Sequence, residues 1–170
     1  IGTAALRVTC TAMRRAVATV SLSGTLRDKL EAVAAAGFDA VELFEPDFIG
    51  FTGSARDLKR IADDLALAID LYQPLRDFEG VPPTQHQRNL DRAERKFDLM
   101  AELGAPMMLV CSNTSPHSLG DVNLAADQLH DLGDRAARRG LRIGFEALAW
   151  GRWVRLYGQA WAIVERAAHP

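Results

Sequence analysis

Only two of the 170 residues are cysteine, Cys10 and Cys111, and they lie far apart in the chain. Such a pair makes neither a disulfide framework nor a thiolate metal cluster, and it points to a reducing cytoplasmic setting. Long apolar runs are missing too. None approaches the ~18 residues that a membrane-spanning helix needs, so no membrane association is expected. Net charge is small, −2, and the isoelectric point is near 6.1. A chain without a basic excess is not built as a nucleic-acid surface. The Arg138-Arg139 pair closes a predicted helix, where cations complement the helix dipole. The four histidines are scattered: His86 and His130 fall on predicted helices, His117 in a loop and His169 beside the last residue. None stands at ligand spacing from another. What is present, 48% hydrophobic and 25% charged residues, is the ordinary balance of a globular domain with one core.

One pattern recurs along the chain: an amphipathic helix, a glycine, then a short apolar strand ending on a polar residue. The clearest copies begin at Gly37 (Phe38-Asp39-Ala40-Val41-Glu42-Leu43-Phe44-Glu45), Gly104 (Ala105-Pro106-Met107-Met108-Leu109-Val110-Cys111-Ser112) and Gly140 (Leu141-Arg142-Ile143-Gly144-Phe145-Glu146). A further copy carries Ala66 in the glycine position, before Leu67-Ala68-Ile69-Asp70-Leu71-Tyr72-Gln73. The spacing, roughly 29–38 residues, suits one helix, one strand and two connections. Strands are expected at about 16–22, 39–44, 67–73, 106–111 and 141–147. Thr25-Leu26-Arg27-Asp28 and Ser54-Ala55-Arg56-Asp57 have the capping-box form that starts a helix. Thr84-Gln85-His86-Gln87 is expected to cap a third helix, with a buried stripe of Leu90, Ala93, Phe97, Met100 and Ala101. A fourth helix carries Ala125, Leu129, Leu132 and Ala136, and a last one runs over about 155–168.

Repeated βα units of this size predict an α/β fold with parallel strands and outer helices. Counted from Met13 there are five, close to five eighths of a (β/α)₈ barrel of about 250 residues. The expected architecture is therefore an incomplete (β/α)₈ TIM barrel, with a flavodoxin-like sheet as the competing five-unit fold. Residues 1–12 have neither the basic start nor the length of a secretory signal. Met13-Arg14-Arg15, directly before the first apolar strand, reads as a natural start. Residues 1–12 are accordingly expected to be an upstream or non-native segment, and 13–170 the barrel portion.

In a barrel the chemistry sits after the strand C-terminal ends. The polar residues there are Ser21 and Ser23, Glu42 and Glu45, Gln73, Arg76 and Asp77, Ser112 and Asn113, and Glu146. Several have plain structural readings. Glu42 suits an interior position paired with a basic neighbour, Arg76-Asp77 a loop salt bridge, and Ser112-Asn113 ordinary turn chemistry. Cys111 reads as a small packed side chain. Glu146 stands out, because it ends an apolar strand and is followed by Ala147-Leu148-Ala149-Trp150-Gly151. A carboxylate buried there would need a cation or a metal.

Taken together, five stretches resemble one family: Ala18-Thr19-Val20-Ser21-Leu22-Ser23-Gly24-Thr25-Leu26, the Gly37 copy, Tyr72-Gln73-Pro74-Leu75-Arg76-Asp77-Phe78-Glu79-Gly80, Val110-Cys111-Ser112-Asn113, and Phe145-Glu146-Ala147-Leu148-Ala149-Trp150-Gly151-Arg152. The resemblance is to the N-terminal part of bacterial 3-dehydroshikimate dehydratases of the xylose-isomerase-like TIM-barrel superfamily, which often carry a second domain like 4-hydroxyphenylpyruvate dioxygenase. It implies a lyase of aromatic catabolism that converts 3-dehydroshikimate, a small-molecule substrate, to protocatechuate. It also implies one divalent metal ion of the Mg, Mn or Co type, and leaves a homo-oligomeric state open. Glu146 matches the family's strand-five metal ligand. The other ligands and the catalytic proton-transfer group are expected beyond Pro170, so the chain alone is expected to be inactive and poorly stable. For the substrate, the resemblance implies Arg76 on the carboxylate, with Gln73, Glu45 and Ser112 as further binding residues. Trp153 departs from it, since a histidine is expected after Gly151-Arg152. Two other readings stand beside this one: a sugar or sugar-phosphate isomerase on the same barrel, and a non-catalytic binding or scaffold fragment.

Overall fold

The computed structural model describes residues 13–169. Cys10 and the segment 1–12 lie outside the described residues. Five strands pair in parallel in strict chain order: β1 (Ala16–Ala18), β2 (Ala40–Phe44), β3 (Ala68–Leu75), β4 (Met107–Cys111) and β5 (Arg142–Glu146). Sequential order is what successive barrel units give. A flavodoxin-like sheet would place its first two strands in the reverse order, so that alternative is excluded. No described helix is long and apolar enough to cross a membrane.

Between the strands run α1 (Leu26–Ala35), a short α2 (Glu45–Ile49), α3 (Ala55–Asp64), α4 (Pro83–Leu103) and α5 (Val122–Arg138), with α6 (Tyr157–Ala167) after β5. The two capping boxes form as their sequences predict. Thr25 exchanges hydrogen bonds with Asp28, and Ser54 with Asp57, satisfying amides that the first helical turn leaves open. Leu26, Leu30 and Val33 of α1, Leu58, Ile61 and Ala62 of α3, and Ala125, Leu129, Leu132 and Ala136 of α5 are buried against the sheet. They join Val41, Leu43, Ile69, Tyr72, Met108 and Val110 in one core. Strands so covered lose the alternation of a half-exposed sheet and read as short apolar runs.

The structure corrects four details. The first strand stops at Ala18, not near 22, because the chain turns into a 3₁₀ segment at Thr19–Ser21. There the buried Thr19 Oγ1 accepts the Phe44 amide at 3.0 Å, a side chain taking the place of a ladder bond. The fourth helix starts before Thr84: Pro82 is its N-cap and Pro83 its first residue, a position suited to proline's fixed φ and missing N–H. Ala101 is exposed, and Leu103 fills the end of the buried stripe. Finally, α2 has no sequence periodicity to reveal it. It is five residues long and held by the Lys29–Asp47 ion pair at 2.8 Å, with the Lys29 side chain buried.

Among the described residues β1 and β5 each pair on one side only, and α6 exposes Tyr157, Trp161 and Val164. Unpaired strand edges and apolar faces favour association. Residues 13–170 expressed alone should therefore elute above monomer mass and bind a hydrophobic dye. A monomeric species with a sharp cooperative melt would contradict this.

Candidate active site

Parallel order brings every strand C-terminus to one edge of the sheet. On β2 and β3, Gln73 Nε2 donates to Glu42 Oε2 at 3.2 Å. No cation neutralises Glu42 among the described residues, which corrects the expected basic neighbour. Partial burial and the charge of Glu146 instead push its carboxyl above the usual range. Glu45 opens α2 and is already engaged. The Tyr72 hydroxyl donates to its Oε1 at 2.9 Å, and Lys96 of α4 pairs with the same oxygen. Burial lowers the Lys96 ammonium, opposed by Glu45, and raises the Tyr72 phenol.

The loop after β3 is a fixed platform. The Asn89 amide of α4 donates to the carbonyls of Asp77 at 2.8 Å and Phe78 at 3.0 Å. Arg92 donates to the Arg76 carbonyl. Asp77 Oδ1 accepts the Thr114 amide at 2.9 Å and hydroxyl at 3.1 Å. The expected Arg76–Asp77 salt bridge is therefore not formed, since Asp77 faces the β4 loop. Gln128 of α5 closes the far end by accepting the Val81 N–H at 3.1 Å and donating to its C=O at 2.6 Å. Gly80 takes φ +64, and a Cβ there would meet the Leu119 carbonyl oxygen at 2.7 Å, so only glycine fits. With the backbone held on every side, the Arg76 side chain is exposed and makes no ion pair with any described residue.

Beyond β4 and β5, the buried Cys111 thiol donates to Glu146 Oε2 at 3.6 Å. Burial, with the charge of Glu146, pushes that thiol up to about 11, which removes it as a nucleophile. The charge of Arg76 opposes that rise. Glu146 itself is exposed, so the expectation of a buried carboxylate is corrected: β5 is flanked on one side only. Ser112 is already engaged by the loop after β5. It is buried, and its Oγ accepts the Leu148 amide at 2.9 Å while its own N–H reaches the Glu146 carbonyl at 2.8 Å. A Cβ on Gly151 would meet that Oγ at 2.6 Å, so the β5 loop folds tightly over it.

No group of three or more histidine, cysteine, aspartate or glutamate side chains among the described residues is placed to hold a metal ion. One carboxylate, Glu146, fits as a single oxygen ligand. It makes no ion pair among the described residues, and it raises the pKa of a second carboxyl, Glu42, a repulsion that a bound cation would relieve.

Glu79 was not among the residues the sequence singled out. It is 3% exposed, its Oε1 accepts the Asn113 amide at 2.6 Å, and its Oε2 is buried without a partner. Burial pushes its carboxyl up to about 7 despite that hydrogen bond. The signal in the sequence was its setting, an acid between Phe78 and Gly80-Val81, but the loop's overall charge concealed it. Below pH ~4.5 the folded and unfolded states are both protonated. Between there and about 7 only the unfolded state ionises, so stability falls as pH rises. This loss is on the order of 3 kcal/mol. Thermal melts of the complete protein should show wild type losing stability between pH 5 and 8 relative to Glu79→Gln. Parallel pH profiles for the two proteins would refute the assignment.

The xylose isomerase-like TIM barrel model matches residues 30–170. A protein of Pseudomonas putida named 3-dehydroshikimate dehydratase is 58% identical over 158 residues, covering 93% of this chain and 25% of its own length. One of Pseudomonas aeruginosa with the same name is 60% identical over 155 residues, with 91% and 24% covered. The chain thus spans about a quarter of these relatives. A solved xylose isomerase-like TIM barrel/4-hydroxyphenylpyruvate dioxygenase fusion protein superposes with a TM-score of 0.91 at 58% identity, over 93% of this chain and 25% of its own. The zinc-bound IolI protein superposes at 0.77 with 17% identity, over 91% of this chain and 59% of its own, a likeness of fold. With the family model matching most of its length and five parallel βα units in sequential order, the chain belongs to the xylose isomerase-like TIM barrel family.

Proposed function

We propose that the protein carrying this chain is a 3-dehydroshikimate dehydratase, a lyase that removes water from 3-dehydroshikimate to leave protocatechuate. The observation that carries this reading is 58% and 60% identity, over more than nine tenths of the chain, to two relatives of that name. The geometry is consistent with it. Arg76 is a guanidinium on a rigid loop that pairs with no carboxylate among the described residues, and a substrate carboxylate matches its paired donors. Gln73 and Glu45 line the same edge, where Gln73 retains its carbonyl oxygen to accept a ring hydroxyl. Glu45, paired with Lys96 and accepting the Tyr72 hydroxyl, shapes that side of the opening. Ser112 contributes through the loop it braces.

Glu146 would hold the divalent ion, with its remaining ligands supplied from outside this chain. When bound, such an ion supplies Lewis acidity toward the ring ketone. The groups that move the protons lie beyond Pro170 on this reading, so the chain by itself does not turn over substrate. Its setting is cytoplasmic, in keeping with the free, buried Cys111. Its place is in aromatic catabolism.

Two variants of the complete protein test the assignment. Arg76→Ala should raise KM and lower kcat/KM by about 10- to 100-fold, the loss of a charge-assisted pairing. Unchanged kinetics with 3-dehydroshikimate would remove Arg76 from the site. In metal titration, Glu146→Gln should bind the ion at least about tenfold more weakly. Wild-type affinity would show that Glu146 is not a ligand.

A further inference from the structure

Asn113 is bonded through its backbone and its side chain. Its backbone N–H donates to Glu79 Oε1 at 2.6 Å, and its side-chain amide donates to the Glu79 carbonyl at 2.7 Å. Its Oδ1 accepts the Ser115 amide at 2.8 Å, and its carbonyl accepts the Arg152 amide at 2.7 Å. Next to it, Ser112 holds the Glu146 carbonyl and the Leu148 amide. Hydrogen bonds on either side of the Ser112-Asn113 peptide link therefore make one path from the Arg76 loop, through Glu79, to the end of β5 and the loop after it. Glu79 is the residue of the Arg76 loop that bonds Asn113, through its side-chain carboxyl and through its backbone carbonyl.

From this path we infer that Glu79 is a positioning residue for the proposed reaction: by gripping Asn113 it holds the Arg76 loop in fixed relation to the Glu146 strand end. The inference rests on the proposed function only for the meaning of Arg76. The grip itself is a matter of geometry. Its energetic cost is visible, since one carboxyl oxygen stays buried without a partner and the group resists ionisation. Three other tethers remain if its side chain is lost: the Asn113 side-chain amide to the backbone carbonyl of residue 79, Asp77 to Thr114, and Asn89 to the Asp77 and Phe78 carbonyls. Loss of Glu79 should therefore loosen the loop without unfolding it. Glutamine keeps an acceptor for the Asn113 amide at almost the same volume, so it should preserve the grip.

The test uses the complete protein with wild type, Glu79→Ala, Glu79→Gln, Arg76→Ala and the Glu79→Ala/Arg76→Ala double variant. Glu79→Ala should raise KM for 3-dehydroshikimate by about fivefold or more with a smaller change in kcat, and Glu79→Gln should stay within about twofold of wild type. In the Arg76→Ala background, Glu79→Ala should add less than about twofold, because its effect passes through Arg76. A purely structural role would lower the melting temperature and leave KM unchanged, and that result overturns the inference. So would an effect that multiplies in full with Arg76→Ala. Hydrogen exchange separates this from the functional reading. Amides of residues 76–80 and 113 should exchange faster in Glu79→Ala but not in Glu79→Gln, and unchanged exchange overturns the grip. If wild type forms no protocatechuate, the functional proposal fails and the exchange result alone decides the inference. Should Glu79→Ala not fold, Glu79→Met, which fills a similar volume without an acceptor for the Asn113 backbone N–H, carries the same expectations.

Discussion

Parallel pairing in chain order imposes a constraint that the whole site depends on. Each strand must finish at the same edge of the sheet, and the chain must return to the opposite edge through a helix before the next strand begins. The loops after β2, β3, β4 and β5 are thereby gathered side by side, although their residues are separated by whole βα units in sequence. Glu42, Arg76, Cys111 and Glu146 meet for this reason alone. The helical returns supply the buried stripes that cover the strands, so the packing that stabilises the sheet also fixes where its ends lie.

Loops gathered in this way carry backbone amides and carbonyls into a partly buried region, where each needs a partner. Here side chains supply many of them: Thr19 for Phe44, Asn89 for Asp77 and Phe78, Glu79 for Asn113, Gln128 for Val81, and Ser112 for Leu148. These residues are spent on holding loops together. Arg76 and Glu146 are not. Their guanidinium and carboxylate are exposed, carry opposite charge and make no ion pair among the described residues.

The elements were legible in the sequence wherever a local physical rule set them. The capping boxes at Thr25 and Ser54 and the glycine-then-strand anchors fixed helix starts and strands to within a few residues. Proline chemistry at Pro82-Pro83 decided the start of α4 over the weaker Thr84 signal. Strand one was overestimated because nothing local revealed that Thr19 would reach Phe44. The site was less legible for the same reason. Position after the strand ends put Glu146 and Arg76 at the right edge of the sheet, but whether a polar residue braces a loop or faces the opening depends on contacts between distant loops. Ser112 and Glu79 belong to the first kind, Glu45 is held by Lys96 from α4, and no spacing in the chain announces those pairings.

The central claim is that the loops after β3, β4 and β5 form one rigid platform that holds Arg76 for a carboxylate and Glu146 for a cation. A crystal structure of the complete protein with manganese and protocatechuate tests it most directly. The account predicts an anomalous peak on the Glu146 carboxylate, the product carboxylate in two hydrogen bonds with the Arg76 guanidinium, and the Glu79–Asn113 contacts retained. An ion bound without Glu146, or a carboxylate held elsewhere while Arg76 faces solvent, would contradict it.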